Sequence, residues 1–199
     1  MRLVIGLGNP GDRHMNNRRN IGFKVIDVLA NNTNIQIKTK KKKSLLGTGD
    51  FEGHDIVLLK PQTFYDLSGE AVLYIASFLR VPVPNIILVH DDYSLDYGEV
   101  QVARGPVEIP HLGVQSVAKA LKSDKFVRIR LGVGPVPSKG KEPTEQEIER
   151  HLLQDFTLPE NIQIIQIIND AEAALRAILT QDIEDVLSRY KLGTSFKTS

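Results

Sequence analysis

Residues 3–23 read LVIGLGNPGDRHMNNRRNIGF, and the way this stretch resolves decides the fold. The apolar run 3–5 predicts a short buried strand. It closes in Gly6-Leu7-Gly8-Asn9-Pro10-Gly11, a tight loop of glycines and an Asn-Pro-Gly turn. A strand ending in such a loop delivers polar groups to the carboxyl end of a sheet, where open α/β folds place their sites. Asn9 is the first of these groups. Residues 12–20 add His14, Asn16, Asn17, Arg18, Arg19 and Asn20 before a helix over 21–30, marked by Ile21, Val25, Ile26 and Leu29 at helical spacing. Gly6, Gly8 and Gly11 satisfy the dinucleotide spacing G-x-G-x-x-G, but that motif needs a helix to begin inside it, so that the helix amino terminus meets the pyrophosphate. Here Pro10-Gly11-Asp12 and a further polar loop intervene, and Asp27 lies on the helix rather than at the end of a second strand. A dinucleotide site is therefore not expected.

Outward from this stretch, strands and helices alternate. Lys38 and lysines 40–43 form the one strong charge run, suited either to phosphates or to guarding a sheet edge. Residues 45–51 and 56–59 predict two strands joined by a turn at Glu52-Gly53-His54-Asp55. Ser68 is the expected N-cap of a helix with Ala71, Val72, Ile75, Ala76 and Leu79 on its apolar face. Residues 86–89 read as a central strand buried on both faces, with His90-Asp91-Asp92 just past its end. Residues 100–104 and 126–132 predict further strands, the second with Arg128 and Arg130 on one face. Helices are expected over 113–121, 145–153, 162–179 and 182–187, with His111 as a ligand contact or a cap and His151 on a helix surface. The loop 105–110 carries two prolines and is stiff; 135–144 is expected to be mobile and the tail 192–199 disordered. The pattern is that of an α/β protein: a three-layer α/β/α single domain over 1–191, with a mixed, mostly parallel central sheet.

A chain of 199 residues allows one domain with a full core. With 41% hydrophobic and 25% charged residues, its composition is that of a soluble globular protein. No window approaches the length of a membrane span and no secretory signal pattern opens the chain. A cytoplasmic location is expected, or an organellar matrix if the chain is processed. The absence of cysteine excludes disulfides and thiolate metal sites. The formal net charge is +1, so any case for a nucleic-acid partner must be local.

Several motifs in one order resemble the bacterial-type peptidyl-tRNA hydrolase family. GLGNPG followed by N-R-R-N-I-G-F is similar to the family's G-L-G-N-P-G and T-R-H-N-x-G. Lys60-Pro61-Gln62-Thr63-Phe64-Tyr65-Asp66-Leu67-Ser68-Gly69 resembles K-P-x-T-[FY]-M-N-x-S-G. His90-Asp91-Asp92 with Leu95 and Gly98 resembles H-D-[DE]-L-D-x-x-x-G, 126–134 resembles F-x-R-[LI]-R-[LIV]-G-[IV]-G, and Arg189-Tyr190 resembles a closing N-R-[FY]-N. The resemblance implies a fold of that family, cleavage of the ester between peptide and tRNA, no cofactor and no metal, tRNA as partner, and a monomer. It also implies a histidine general base oriented by an aspartate. The aspartate is Asp91; the histidine position holds Arg19.

An arginine offers donors only and cannot take a proton from water at neutral pH, whereas general-base work needs a pKa near the working pH. Other positions of the family site differ as well. Its Met-Asn pair is Tyr65-Asp66, the asparagine after the site histidine His111 is Leu112, and a phosphate-contacting basic pair keeps Arg130 but has Ala103, next to Arg104, in place of its lysine. Asn9, Arg18 and Asn20 match the family. The expected site is thus Asp91, Asn9 and a non-basic Arg19, with Arg18, Asn20, Tyr65, Asp66, His111, Arg104 and Arg130 around substrate or RNA. Asp91 is expected to pair with Arg19 and lock the pocket. The favoured function is a degenerate member that binds tRNA, another RNA or a ribosome-associated protein, the added cation favouring phosphate. A working hydrolase with His14 or His111 as relocated base is the alternative, signalled by an imidazole hydrogen-bonded to Asp91. A protein-interaction module anchored by Tyr65, Tyr93 and Tyr97 is the third.

Overall fold

The computed structural model describes residues 1–106, 111–137 and 140–191. The expected disordered tail 192–199 and most of the stiff loop 105–110 lie outside the described residues. Seven strands, β1 (Arg2–Gly6), β2 (Thr39–Lys40), β3 (Ser44–Phe51), β4 (His54–Pro61), β5 (Ile86–Asp92), β6 (Val100–Arg104) and β7 (Val127–Gly132), form one sheet in the order β2-β3-β4-β1-β5-β7-β6. The central strands β4, β1, β5 and β7 are mutually parallel, and β2, β3 and β6 add antiparallel edges. Helices α1 (Ile21–Asn32), α2 (Ser68–Phe78), α3 (Leu112–Leu121), α4 (Glu145–Leu152), α5 (Leu158–Thr180) and α6 (Ile183–Tyr190) complete the three layers.

Period-two alternation along the strands sorts two cores. Val4, Leu58, Ile87, Val89 and Ile129 face α1 and α5. Leu3, Ile5, Val57, Leu59 and Leu88 face α2 and α3. Both faces are apolar, so these central strands read as near-continuous hydrophobic runs. The opening glycines serve this packing. A Cβ on Gly22 of α1 would sit 2.4 Å from the Val89 carbonyl oxygen and 2.6 Å from that of Leu7, and one on Gly6 would sit 2.5 Å from the Gly22 carbonyl oxygen. Gly6 and Gly22 therefore let α1 ride against β1 and β5.

Four local expectations are corrected. His90, Asp91 and Asp92 lie within β5, not past it, because pairing with β7 continues to Asp92 opposite Gly132. Ser68 is the first residue of α2 rather than its cap: a 3-10 turn at Tyr65–Leu67 runs straight into the helix, and the buried Ser68 hydroxyl has no hydrogen-bond partner among the described residues. His54 opens β4 opposite Phe51, the turn being Glu52-Gly53 alone. His151 is buried, with Nε2 3.1 Å from the Gly134 carbonyl oxygen, because the edge of α4 that carries it turns toward the 133–136 segment.

Gly22→Ala is expected to destabilise the protein by about 3 kcal/mol, because both clashing partners are backbone and cannot swing aside. Gly53→Ala, which meets nothing but keeps a positive φ, should cost about 1 kcal/mol. Urea midpoints at unchanged m-value measure both.

Candidate functional site

The carboxyl ends of β1 and β5 lie side by side, in register Gly6 to Val89. The loop after β1 leads into a 3-10 turn at Arg18–Asn20 and then α1, which brings Arg19 over the end of β5. Asn9 and Asn20 hold this turn in place. The Asn9 backbone N–H donates to Asn20 Oδ1 at 2.9 Å, Asn20 Nδ2 donates to the Asn9 carbonyl at 2.8 Å, and Asn9 Oδ1 accepts from the Tyr65 N–H at 2.9 Å. Both asparagines thereby tie the first loop to the turn before α2.

Asp91 is fully buried and Arg19 nearly so. Arg19 Nη1 donates to Asp91 Oδ2 at 2.9 Å, and Nη2 donates to Glu149 Oε2 on α4 at 3.3 Å. The guanidinium lies 3.8 Å from the Tyr65 ring centroid, and the Tyr65 hydroxyl donates to the same Glu149 oxygen at 3.2 Å. The expected ion pair is present, with Glu149 and Tyr65 added to it. Burial alone would raise Asp91, but the Arg19 guanidinium and then His111 outweigh it and hold the carboxyl at about 2. Burial, followed by the negative field of Glu149, raises the Tyr65 phenol to about 12 against the opposing pull of Arg19.

His111 Nε2 lies 3.1 Å from Asp91 Oδ1. An imidazole does meet the carboxylate, the arrangement expected of a relocated base. Its other nitrogen decides what it can do. Nδ1 accepts the Val114 backbone N–H at 3.2 Å and caps α3, so the proton sits on Nε2, facing Asp91. The 3.5 Å approach of Arg19 Nη1 to Nε2 then brings two donors together and is not a hydrogen bond. His111 is both cap and site residue, and its one lone pair is spent. His90 packs 4.7 Å from His111, ring to ring, and donates from Nδ1 to the Asp91 carbonyl; burial lowers its pKa far below the ordinary value. His14 is out of the site, in contact with Arg13 and Asn17.

Two cavities meet at His111. A cleft of about 700 Å³ under α4 is lined by Arg19, Tyr65, Tyr93, Leu112 and Glu149. A second, of about 370 Å³, lies beside β6 and β7 with His90, Asp92, Arg128 and Arg130. The cations expected at phosphate are already compensated. Arg18 donates to both Glu160 oxygens at 2.8 Å and to the Asp155 carbonyl at 3.0 Å, bracing the 3-10 turn against α5. Arg130 donates to Asp92 and Gln101, both at 2.8 Å, and Arg104 pairs with Glu184. Arg19 shares two carboxylates, so its own charge in the cleft is already paired. Asp66 is exposed beside Tyr65, with no bond to a described residue. Tyr65 is buried and the Tyr97 hydroxyl donates to the Glu160 carbonyl, so neither is a free aromatic anchor. Among the described residues, no cluster of His, Asp or Glu could hold a metal ion and no helix is long and apolar enough to cross a membrane.

Glu149 and His90 are the site residues that the sequence did not single out. Glu149 sits between Ile148 and Leu152, at the edge of the buried stripe of α4, the one signal that its carboxylate could turn inward.

The family model described as peptidyl-tRNA hydrolase matches residues 3–199. A peptidyl-tRNA hydrolase of Caldanaerobacter subterraneus is 37% identical over 190 residues, covering 96% of this chain and 99% of the relative. One of Clostridium botulinum is 35% identical, covering 96% and 95%. Among solved structures, the crystal structure of peptidyl-tRNA hydrolase from Acinetobacter baumannii superposes with a TM-score of 0.87 at 25% identity, covering 98% of this chain and 96% of that one.

Arg19→Met should cost about 3 kcal/mol by stranding the Asp91 carboxylate, and Arg19→Met with Asp91→Leu should cost less than the sum of the two single changes. Because the Asp91 pKa is depressed on folding, its contribution is complete above the unfolded value and is lost as pH falls from roughly 4 to 2. In Arg19→Met burial raises that pKa, so acid unfolding moves to higher pH. Denaturant titrations across pH read both effects.

Proposed function

The chain belongs to the peptidyl-tRNA hydrolase family, and from that premise we propose that it binds tRNA at the family's cleft without cleaving the ester through position 19. The observation that carries this reading is the buried Arg19–Asp91 pair at 2.9 Å. Ester hydrolysis needs a lone pair aimed at a water beside the scissile carbonyl. The guanidinium has none, and Asp91, held at about 2 and saturated by Arg19 and His111, is too weak a base to supply one. Glu149 pins α4 over the cleft through Arg19 and Tyr65, so an incoming 3′ end must displace a carboxylate as well as a guanidinium.

A second reading, a working hydrolase with His111 as base, is favoured by the 3.1 Å contact of Nε2 with Asp91 and by relatives of that name at 35–37% identity. It requires His111 to give up its α3 cap, because Nδ1 holds the ring's one lone pair and that lone pair now accepts the Val114 N–H.

Release of the blocked amino acid from N-acetylaminoacyl-tRNA separates the two. Binding with release at the uncatalysed rate is expected. Turnover that His111→Ala abolishes would establish the second reading and end the first. Arg19→His is expected to recover only part of a family member's rate, because Leu112 and Asp66 stand where the family has asparagines; full recovery would show that Arg19 alone blocks the chemistry.

A further inference from the structure

Arg18, Arg19, Arg104 and Arg130 each pair with a carboxylate, and a cluster of unpaired positive charge at the site end of the sheet lies away from them. Ser44 pairs with Pro61, which puts the turn between β2 and β3 at the same end as the carboxyl ends of β4 and β1. Three strand spacings, about 14 Å, separate β2 from β1. The turn is a two-residue hairpin loop closed by Lys41 N–H to the Ser44 carbonyl and Ser44 N–H to the Lys41 carbonyl, both 2.9 Å. Its central residues are Lys42 and Lys43, with φ of 41° and 53°.

Such a turn asks for Asn-Gly or a close equivalent, because both residues occupy the left-handed region. The next hairpin of the same sheet meets the demand with Gly53 at its second position. Two adjacent lysines there are a strained choice, and strain kept in a solvent-exposed turn points to a use for the side chains. Lys40, Lys42 and Lys43 are exposed, and none of Lys38 or lysines 40–43 pairs with a carboxylate among the described residues.

Beside the turn, α2 presents two stacked aromatic rings to solvent. Tyr74 and Phe78, one helical turn apart, lie 6.4 Å between centroids and 3° from parallel, and are 39% and 56% exposed. The Lys41 ammonium stands 3.1 Å from the Phe78 centroid and that of Lys42 5.6 Å from Tyr74. Cations interleaved with flat aromatic faces match a nucleic acid, whose phosphates take the charges and whose bases stack.

We propose that the Lys41–Lys42–Lys43 turn and the Tyr74–Phe78 face of α2 form a second nucleic-acid contact, holding the backbone of the same tRNA whose 3′ end enters the cleft. This surface rests on the tRNA-binding reading above. It supplies unpaired positive charge outside the cleft.

The test is the double change Lys42→Asn with Lys43→Gly, which installs the sequence the turn prefers. Melting temperature should stay level or rise, while affinity for deacylated full-length tRNA falls about tenfold at low salt and the slope of log K against log salt shrinks by roughly 1.4–1.8, as for two lost phosphate contacts. Lys42→Arg with Lys43→Arg should retain both affinity and slope. Wild-type binding that the Asn-Gly variant leaves unchanged would overturn this surface and spare the cleft. So would unchanged tRNA affinity with lost binding to anionic lipid vesicles, which would mark a membrane contact instead. No tRNA binding by the wild type would overturn the functional reading itself.

Discussion

The ion pair between Arg19 and Asp91 is the interaction on which the functional end of the molecule depends. Asp91 sits in the last residues of a central strand where no water reaches it, and an unpaired carboxylate there would carry a heavy desolvation cost. Arg19 neutralises it from the first loop, His111 satisfies its second oxygen, and Glu149 draws α4 onto the far side of the same guanidinium. One buried charge thereby fastens β5, the loop after β1, the start of α3 and the edge of α4 together.

Charge compensation follows the same division across the sheet end. Arg18 serves Glu160, Arg130 serves Asp92 and Arg104 serves Glu184, so each arginine matched to an anion-binding role already has a carboxylate. The lysines of the β2–β3 turn have none among the described residues. A protein with a net charge of +1 attracts a polyanion through local clusters of unpaired positive charge, and the strained turn with its aromatic neighbours is one such cluster.

Much of the fold was legible because its signals are local. The apolar runs at 3–5 and 86–89, the glycine loop after the first and the helical spacing from Ile21 each announce their element without knowledge of the others. The site was legible in part: Asp91, Asn9, Asn20 and His111 converge as their motif positions imply. The misplaced residues share one cause. Ser68, His54 and His151 read from their own neighbourhoods as cap, turn and surface residues, whereas a preceding 3-10 turn, a strand register and a packed loop decide where they sit. Glu149, a glutamate on a short polar helix, reads as solvated until a buried guanidinium is placed beneath it.

Sequence alone settled that position 19 carries a side chain without a lone pair, because that is covalent chemistry and no fold can alter it. It settled also that strands and helices alternate and that the charge run stands apart from the motifs. Only the tertiary structure decided how the charges are spent: whether Arg19 faces solvent, phosphate or Asp91, and which nitrogen of His111 keeps its lone pair. Those outcomes depend on contacts between residues 72 and 20 positions apart along the chain, and the energies of burial and pairing that choose among them exist only once the chain has closed.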